Sequence, residues 1–224
     1  MSNTVGFAAL LVATLTMTAE AERLGVLDAN LVYQPSSVVV GIEDPRCAQR
    51  ERTAYESCRL TMMKRDGATA AAIAFARTLT AYRKYFGYAT SVQRGRFGPV
   101  AMVGTLPSGA STYGSRYLVT PAGRFIDPDE VTRADQVAAA SDPAFQILRS
   151  AHSAATVWPQ AGDVVETRAR GGGQRFIIKH PIVDGCHACA LLGAARYAYD
   201  FDRYGRLRRT ILIDVQRGRG AWFP

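Results

Sequence analysis

The sequence predicts an α+β fold, an antiparallel sheet with helices packed on one face, and three observations carry that expectation. Between Thr69 and Phe86, Ile73, Ala76, Leu79, Tyr82 and Phe86 recur at three- and four-residue spacing, the period of an amphipathic helix. In the last seventy residues the period falls to two, with Tyr197, Tyr199 and Phe201 on one face of a strand. Glycine and Asp-rich turns separate these short runs, which is the pattern of an antiparallel meander. No internal repeat, low-complexity tract or linker divides the chain, so residues 22–224 are expected to form one α+β domain.

Taken in order, Val5 to Met17 is apolar or small and carries no charge, and Thr18-Ala19-Glu20-Ala21 follows with small residues suited to signal-peptidase cleavage after Ala21. As a helix this segment would reach about 20 Å, short of a ~30 Å hydrocarbon layer, so residues 1–21 read as a cleaved signal peptide and the mature chain as one without a transmembrane helix. The positively charged start usual in such segments is missing. The protein is therefore expected to be periplasmic or secreted. Arg23 to Val40 reads as an extended entry, and Asp44-Pro45 as an N-cap with proline at the first helical position. A helical region follows, interrupted by Gly67 and resumed from Thr69 to about Gly87.

Beyond Gly95, strands are expected at Val100–Val103, Tyr117–Thr120 and Arg124–Ile126. Asp127-Pro128-Asp129-Glu130 opens a helix to about Ala140, and Asp142-Pro143 opens another to Ser150. The remaining strands are Val164–Arg168, Arg175–Lys179, the Tyr197/Tyr199/Phe201 strand, and a last one holding Leu207, Ile211, Ile213 and Val215 at even spacing. That alternation sets Arg206, Arg208 and Thr210 opposite Ile211 and Ile213.

An oxidising compartment suits the even cysteine count, Cys47, Cys58, Cys186 and Cys189. The pairings Cys47–Cys58 and Cys186–Cys189 close the shortest loops. Eleven residues of unbroken helix would hold the first two Cα atoms about 16 Å apart against the ~5.5 Å a bridge requires, so the chain must turn back between them.

The densest chemistry lies in Asp184-Gly185-Cys186-His187-Ala188-Cys189, between two expected strands. Four readings compete. A closed bridge can present His187 on a rigid loop, for structure or for binding. The same Cys-x-x-Cys can be a thiol–disulfide exchange site, with His187 and a helix start lowering a thiol pKa, although the strand and long helix of a thioredoxin-like unit are not evident. A metal site would draw on the cysteines with His187 or His180, but one Cys-x-x-Cys is half a zinc signature and oxidation removes thiolates. Nucleophilic cysteine catalysis lacks an orienting third group. Haem attachment would need histidine where Ala190 stands. No metal or cofactor is implied, and catalytic residues are not assigned outside the alternative redox pair Cys186 and Cys189. His152 and His180, each alone beside apolar residues, read as structural, and Asp127, Asp129 and Glu130 as capping groups.

Lysine plus arginine number 27 against 19 acids, a net charge of +8, and only Lys64, Lys84 and Lys179 are lysine. The strongest basic cluster holds Arg203, Arg206, Arg208 and Arg209, with Arg217 and Arg219 beyond it. Together with His187 these are the candidate binding residues, and they fit an acidic protein or an anionic envelope component. No nucleic-acid module accompanies them, and no phosphate-binding glycine loop appears.

The stretch Pro181-Ile-Val-Asp-Gly-Cys-His-Ala-Cys-Ala, with Tyr199-Asp-Phe201-Asp and the Gly205 turn, resembles the end of an uncharacterised group of exported proteobacterial proteins, which implies a compartment rather than an activity. The Cys186-His187-Cys189 loop is also similar in kind to that of periplasmic inhibitors of vertebrate lysozyme, in which a disulfide-closed loop bearing a histidine plugs the enzyme cleft. A charge of +8 works against so basic a partner. The sequence thus favours a non-enzymatic, two-disulfide binding module of the envelope, with thiol–disulfide exchange at Cys186/Cys189 as the alternative.

Overall fold

The computed structural model describes residues 27–34, 47, 51–83, 86–107, 115–130, 136–186 and 188–218. The segment expected to be a signal peptide, the valine run 38–40 and the expected Asp44-Pro45 helix start lie outside them, as do His187 and Arg219. The entry segment is not simply extended. A 3-10 turn at Ala29–Leu31 is capped by Asp28, whose carboxylate accepts from the Asn30 backbone N–H, and Val32 then bridges to Ala89.

Helix α1, Arg52–Arg65, carries Cys58, which is bonded to Cys47 ahead of the helix with Cα atoms 5.9 Å apart. The required reversal is met because Cys47 precedes the helix instead of belonging to it. Gly67, at φ +83°, separates α1 from α2, Ala70–Arg83. The buried face of α2 is Ala72, Phe75, Ala76, Leu79 and Thr80; the expected stripe shares only Ala76 and Leu79 with it, since Ile73 is half-buried, Tyr82 is exposed and Phe86 is buried beyond the helix end at Arg83.

Two antiparallel sheets follow. The first orders β1 (Gly87–Gln93), β2 (Ala101–Pro107), β3 (Ser115–Val119) and β4 (Phe125–Ile126) as a simple meander. Its two faces have different partners. Ala89, Ala101, Val103, Tyr117 and Val119 form one core with Phe75 and Leu79 of α2. From the opposite side Val100 and Leu118 join a second core with Phe176, Ile178, Tyr197, Tyr199 and Phe201. The first sheet is therefore a middle layer, buried on both faces, which the reading of a single sheet with helices on one face did not separate.

The second sheet holds β5 (Ala155–Val157), β6 (Val164–Arg168), β7 (Gln174–Asp184), β8 (Leu191–Phe201) and β9 (Leu207–Arg217). Its order is β5-β7-β8-β9, with β6 also against β7. β6 pairs the first half of β7, up to Ile178, and β5 the last residues, from Ile182. Pro181 sits at the gap between them, where its carbonyl accepts from Trp158 N–H and its missing N–H breaks no ladder bond. That lets β7 run well past the predicted end at Lys179. Helices α3 (Gln136–Ser141) and α4 (Pro143–Ala151) close the second core, and Asp142 caps α4 by accepting from Ala144 and Phe145 N–H, as its Asp-Pro start predicts.

The layers are also tied by polar groups. The Gln174 side chain accepts from Val100 N–H at 3.0 Å and donates to Val100 C=O at 2.9 Å, pairing the backbone of the first sheet with β7. Glu166 on β6 accepts from Arg96 N–H, Phe97 N–H and Gln174 Nε2 at 2.7–2.8 Å.

The alternation read for β9 is broken twice. Arg196 and Tyr197 face Asp214 and Leu212, leaving Ile213 as an extra residue, and Asp200 and Phe201 face Arg209 and Leu207, leaving Arg208 extra. Each is a β-bulge, which shifts the phase of the strand by one. Leu212 and Val215 consequently face the core, and Ile211 stands on the outer face beside Arg209. The expected even-spaced apolar face and its opposed Arg206/Arg208/Thr210 face are corrected accordingly.

Candidate functional site

The residues singled out in the sequence fall at opposite ends of one sheet. The β7–β8 connection carries Cys186 and Cys189; the β6–β7 and β8–β9 turns lie at the far end, where the arginines gather. β8 joins the two ends, and its 11 residues span about 33 Å at roughly 3.3 Å per residue. The histidine loop and the arginine cluster are therefore two surfaces and not one.

At the arginine end two tight turns stand side by side. In the first, Ala169 N–H donates to Gly173 C=O, with Gly171 and Gly172 both at φ +84°, a conformation that side chains disfavour, so Arg170 is held at the tip. In the second, Asp202 Oδ1 accepts from Tyr204 N–H and Arg206 N–H, both at 2.9 Å, and the turn seats Gly205 against Pro99 and Val100, just before β2, and Pro121, just after β3. Between the turns lies an open groove of about 500 Å³, lined by Arg170, Arg203, Tyr204, Arg208 and Arg209 over Asp200 and Asp202. The bulge at Arg208 matters here, because it brings two consecutive arginines of β9 to the same groove.

Asp200 organises the floor. Its carboxylate, 8% exposed, receives two hydrogen bonds from Arg175, Nε to Oδ1 at 2.5 Å and Nη2 to Oδ2 at 2.8 Å, and a third from Arg209 Nε at 2.8 Å. The Arg175 guanidinium holds this carboxyl below the usual aspartate range, aided by Arg209 and opposed by burial. Arg208 lies 2.8 Å from Asp202 Oδ2, and the Asp202 carboxyl is also lowered, first by the Arg206 backbone N–H. Arg203 lies over the Tyr204 ring at 4.7 Å, and Tyr204 is 60% exposed. Among the described residues, Arg170 and Arg203 face no carboxylate. Five guanidinium groups, counting Arg175, surround two carboxylates, and the excess positive charge stands at the groove mouth.

Of the predicted binding residues, Arg203, Arg208 and Arg209 line the groove. Arg206 does not; its backbone closes the β8–β9 turn. The sequence missed Arg170, which glycines alone place opposite Arg203, and Arg175, whose pairing with Asp200 depends on register.

At the other end the predicted Cys186–Cys189 bridge is present, with Cα atoms 5.0 Å apart, and both cysteines are exposed. Cys189 N–H donates to Cys186 C=O, and Asp184 N–H to Ala190 C=O, so backbone bonds close the loop independently of sulfur. The chain after Cys189 enters β8, so the helix start considered as a thiol-activating device is not there. Instead His152, at the end of α4, sets Nδ1 3.1 Å from Asp184 Oδ2. That pair was not legible in the sequence, since the two residues are 32 apart and His152 read as structural. His180, by contrast, is fully buried on the inner face of β7 beside Tyr197, and burial pushes its pKa down to about 4.

Of the acids read as caps, Asp127 accepts from Asp129 N–H, but Asp129 reaches Ala161 N–H at 2.8 Å and Glu130 takes the Tyr82 hydroxyl at 3.1 Å. These tie layers together. Burial raises the Asp127 carboxyl above its usual range. Among the described residues no three metal-ligating side chains converge, and no helix is long and apolar enough to cross a membrane.

No protein-family model, no curated protein and no solved structure matches this chain.

Proposed function

We propose that this chain is a non-enzymatic, disulfide-stapled binding module of the periplasmic or extracellular space, which holds an anionic envelope component in the groove between the β6–β7 and β8–β9 turns. The observation that carries the reading is the convergence of Arg170, Arg203, Arg208 and Arg209 on a groove of about 500 Å³ over the buried Asp200. Arginine–carboxylate pairs neutralise one another; here the carboxylates are already engaged by Arg175, Arg208 and Arg209, while Arg203 donates to the Tyr204 hydroxyl, so Arg170 and Arg203 add guanidinium charge that no carboxylate among the described residues offsets. Guanidinium groups suit phosphate and carboxylate oxygens better than ammonium groups do, because their donors are planar and paired. The export reading rests on the Val5–Met17 segment and agrees with two closed disulfides.

The test is co-sedimentation with vesicles of phosphatidylglycerol against vesicles of phosphatidylcholine across a salt series. Preferential binding to the anionic vesicles is expected, weakening as salt rises. Arg203→Ala with Arg170→Ala should weaken it at least about tenfold, the loss of one charge-assisted hydrogen bond of ~1.5–3 kcal/mol. Equal binding to both vesicles, or an unchanged double variant, overturns the reading; binding only to acidic proteins would reassign the partner.

A further inference from the structure

We propose that the Cys186–Cys189 bridge is a thiol–disulfide exchange site that opens without unfolding the protein, with the His152–Asp184 pair handling its proton. The inference rests on the loop end of the sheet, is independent of the arginine groove, and adds thiol–disulfide exchange at the loop to a module whose groove binds without catalysis.

Three observations carry it. First, the two bridges of this chain differ in access: Cys47 is fully buried and Cys58 half-buried, whereas Cys186 and Cys189 are both exposed at a hairpin tip. Exchange proceeds by in-line attack of a thiolate on a disulfide sulfur, so access decides which bridge reacts. Second, the fold does not depend on the exposed bridge. The Asp184–Ala190 and Cys189–Cys186 backbone hydrogen bonds already close the loop, and the β7–β8 ladder beneath it continues from Val183↔Leu191 to Gln174↔Phe201. A bridge across a hairpin that its backbone already closes can open and reclose without loss of the fold.

Third, an acid–base pair lies at the base of the loop. Asp184, two residues before Cys186, holds His152 Nδ1 at 3.1 Å, and the backbone at Gly185 packs against Ala154. With Nδ1 directed to the carboxylate, Nε2 is the nitrogen left to give or take a proton. Asp184 on β7 meets Nδ1 of His152, and Arg149 precedes His152 by three residues on α4.

The co-reactant is a dithiol, of protein or small-molecule class. One of its thiolates attacks one sulfur of the bridge; the S–S bond breaks, and its electron pair leaves on the other cysteine, which takes the proton of imidazolium Nε2. The second thiol of the dithiol, deprotonated by the now neutral imidazole, attacks the mixed disulfide. This releases oxidised dithiol and a second cysteine thiol, so two electrons and two protons pass from the dithiol to Cys186 and Cys189. His152 is the acid–base group of this step, and Asp184 is the residue that positions it.

The experiment equilibrates the oxidised full chain in glutathione buffers of stepped ratio, alkylates it, and maps the labelled cysteines by mass spectrometry alongside circular dichroism. Cys186 and Cys189 should become labelled at a ratio at least about tenfold less reducing than Cys47 and Cys58, with the spectrum unchanged. The rate of opening by dithiothreitol should then fall in His152→Ala and Asp184→Asn at about pH 6, converging with the parent near pH 8.5, where protonation of the leaving group no longer limits. Simultaneous opening of both bridges, or loss of structure on opening or in a Cys186→Ser/Cys189→Ser double variant, overturns the exchange site. Early opening with the pH–rate profile unchanged in both His152 and Asp184 variants overturns the assignment of the proton to that pair.

Discussion

Buried His180 makes the second core acid-sensitive by an amount that can be worked out. The side chain has no exposure, its ring meets Tyr197 edge-on at 5.6 Å, and Phe176, Ile178 and Ile182 share its face of β7. Burial lowers its pKa from 6.5 to about 4. The folded state therefore keeps this imidazole neutral, while the unfolded chain binds a proton as pH falls below 6.5, so between those two values the unfolded state carries more protons and stability drops with acidification. Integrating that difference gives a loss of about 2 kcal/mol between pH 7 and pH 5 from this group. For a chain of this size the loss corresponds to a fall in Tm of about 4–8 °C. The assay is urea unfolding of the parent and of His180→Phe at both pH values. Other titrating groups, including Asp127, whose raised carboxyl acts in the opposite direction, are common to the two proteins and cancel in the comparison. The variant should lose about 2 kcal/mol less than the parent on acidification, whatever its own stability at pH 7. Parallel pH dependences would refute the placement of a neutral His180 in the core.

Replacing Gln174 by Ala strips both polar groups of buried Val100 of their partner and releases one bond to Glu166; a loss of about 2–4 kcal/mol is expected in denaturant unfolding, and one under about 1 kcal/mol would mean that the sheets are not joined there. Opening Cys47–Cys58, with a separation of 11, should cost about 3 kcal/mol against about 2 for Cys186–Cys189, with a separation of 3, because the longer loop gains more entropy when released; paired Cys→Ser variants in thermal unfolding check the order. Gly205→Ala combines a φ of +77° with a Cβ only 2.9 Å from Pro121 Cδ, so it should shift the β8–β9 turn and weaken binding of anionic vesicles together with stability, whereas loss of stability with binding intact would detach that turn from the groove.

The sequence disclosed elements better than it disclosed contacts. The presence of helix α2, the Asp142 cap, the Val164–Arg168 strand and both disulfide pairings follow from local rules, because period, capping and loop length are local quantities. β5, three residues long, and β1, which follows α2 without a run of β-branched residues, carry too little periodicity to announce themselves. The division into two sheets is not local at all. Val100 and Ala101 are neighbours that face different cores, and nothing in their composition says which side meets a helix and which a second sheet.

The bulges in β9 show why the arginine site in particular was only half legible. A strictly alternating strand would put Arg208 and Arg209 on opposite faces and divide their charge between core and solvent, which burial of Tyr199 and Phe201 forbids. Inserting Arg208 as an extra residue resolves the conflict: Leu207 and Thr210 keep their positions against Phe201 and Tyr199, and two guanidinium groups emerge together beside Asp200. The same irregularity at Ile213 lets Leu212 and Val215 both face the core while Asp214 meets Arg196 at the outer surface. An edge strand interrupted in this way also offers a poor template for pairing with another chain. Two bulges thus serve packing, charge placement and edge protection at once.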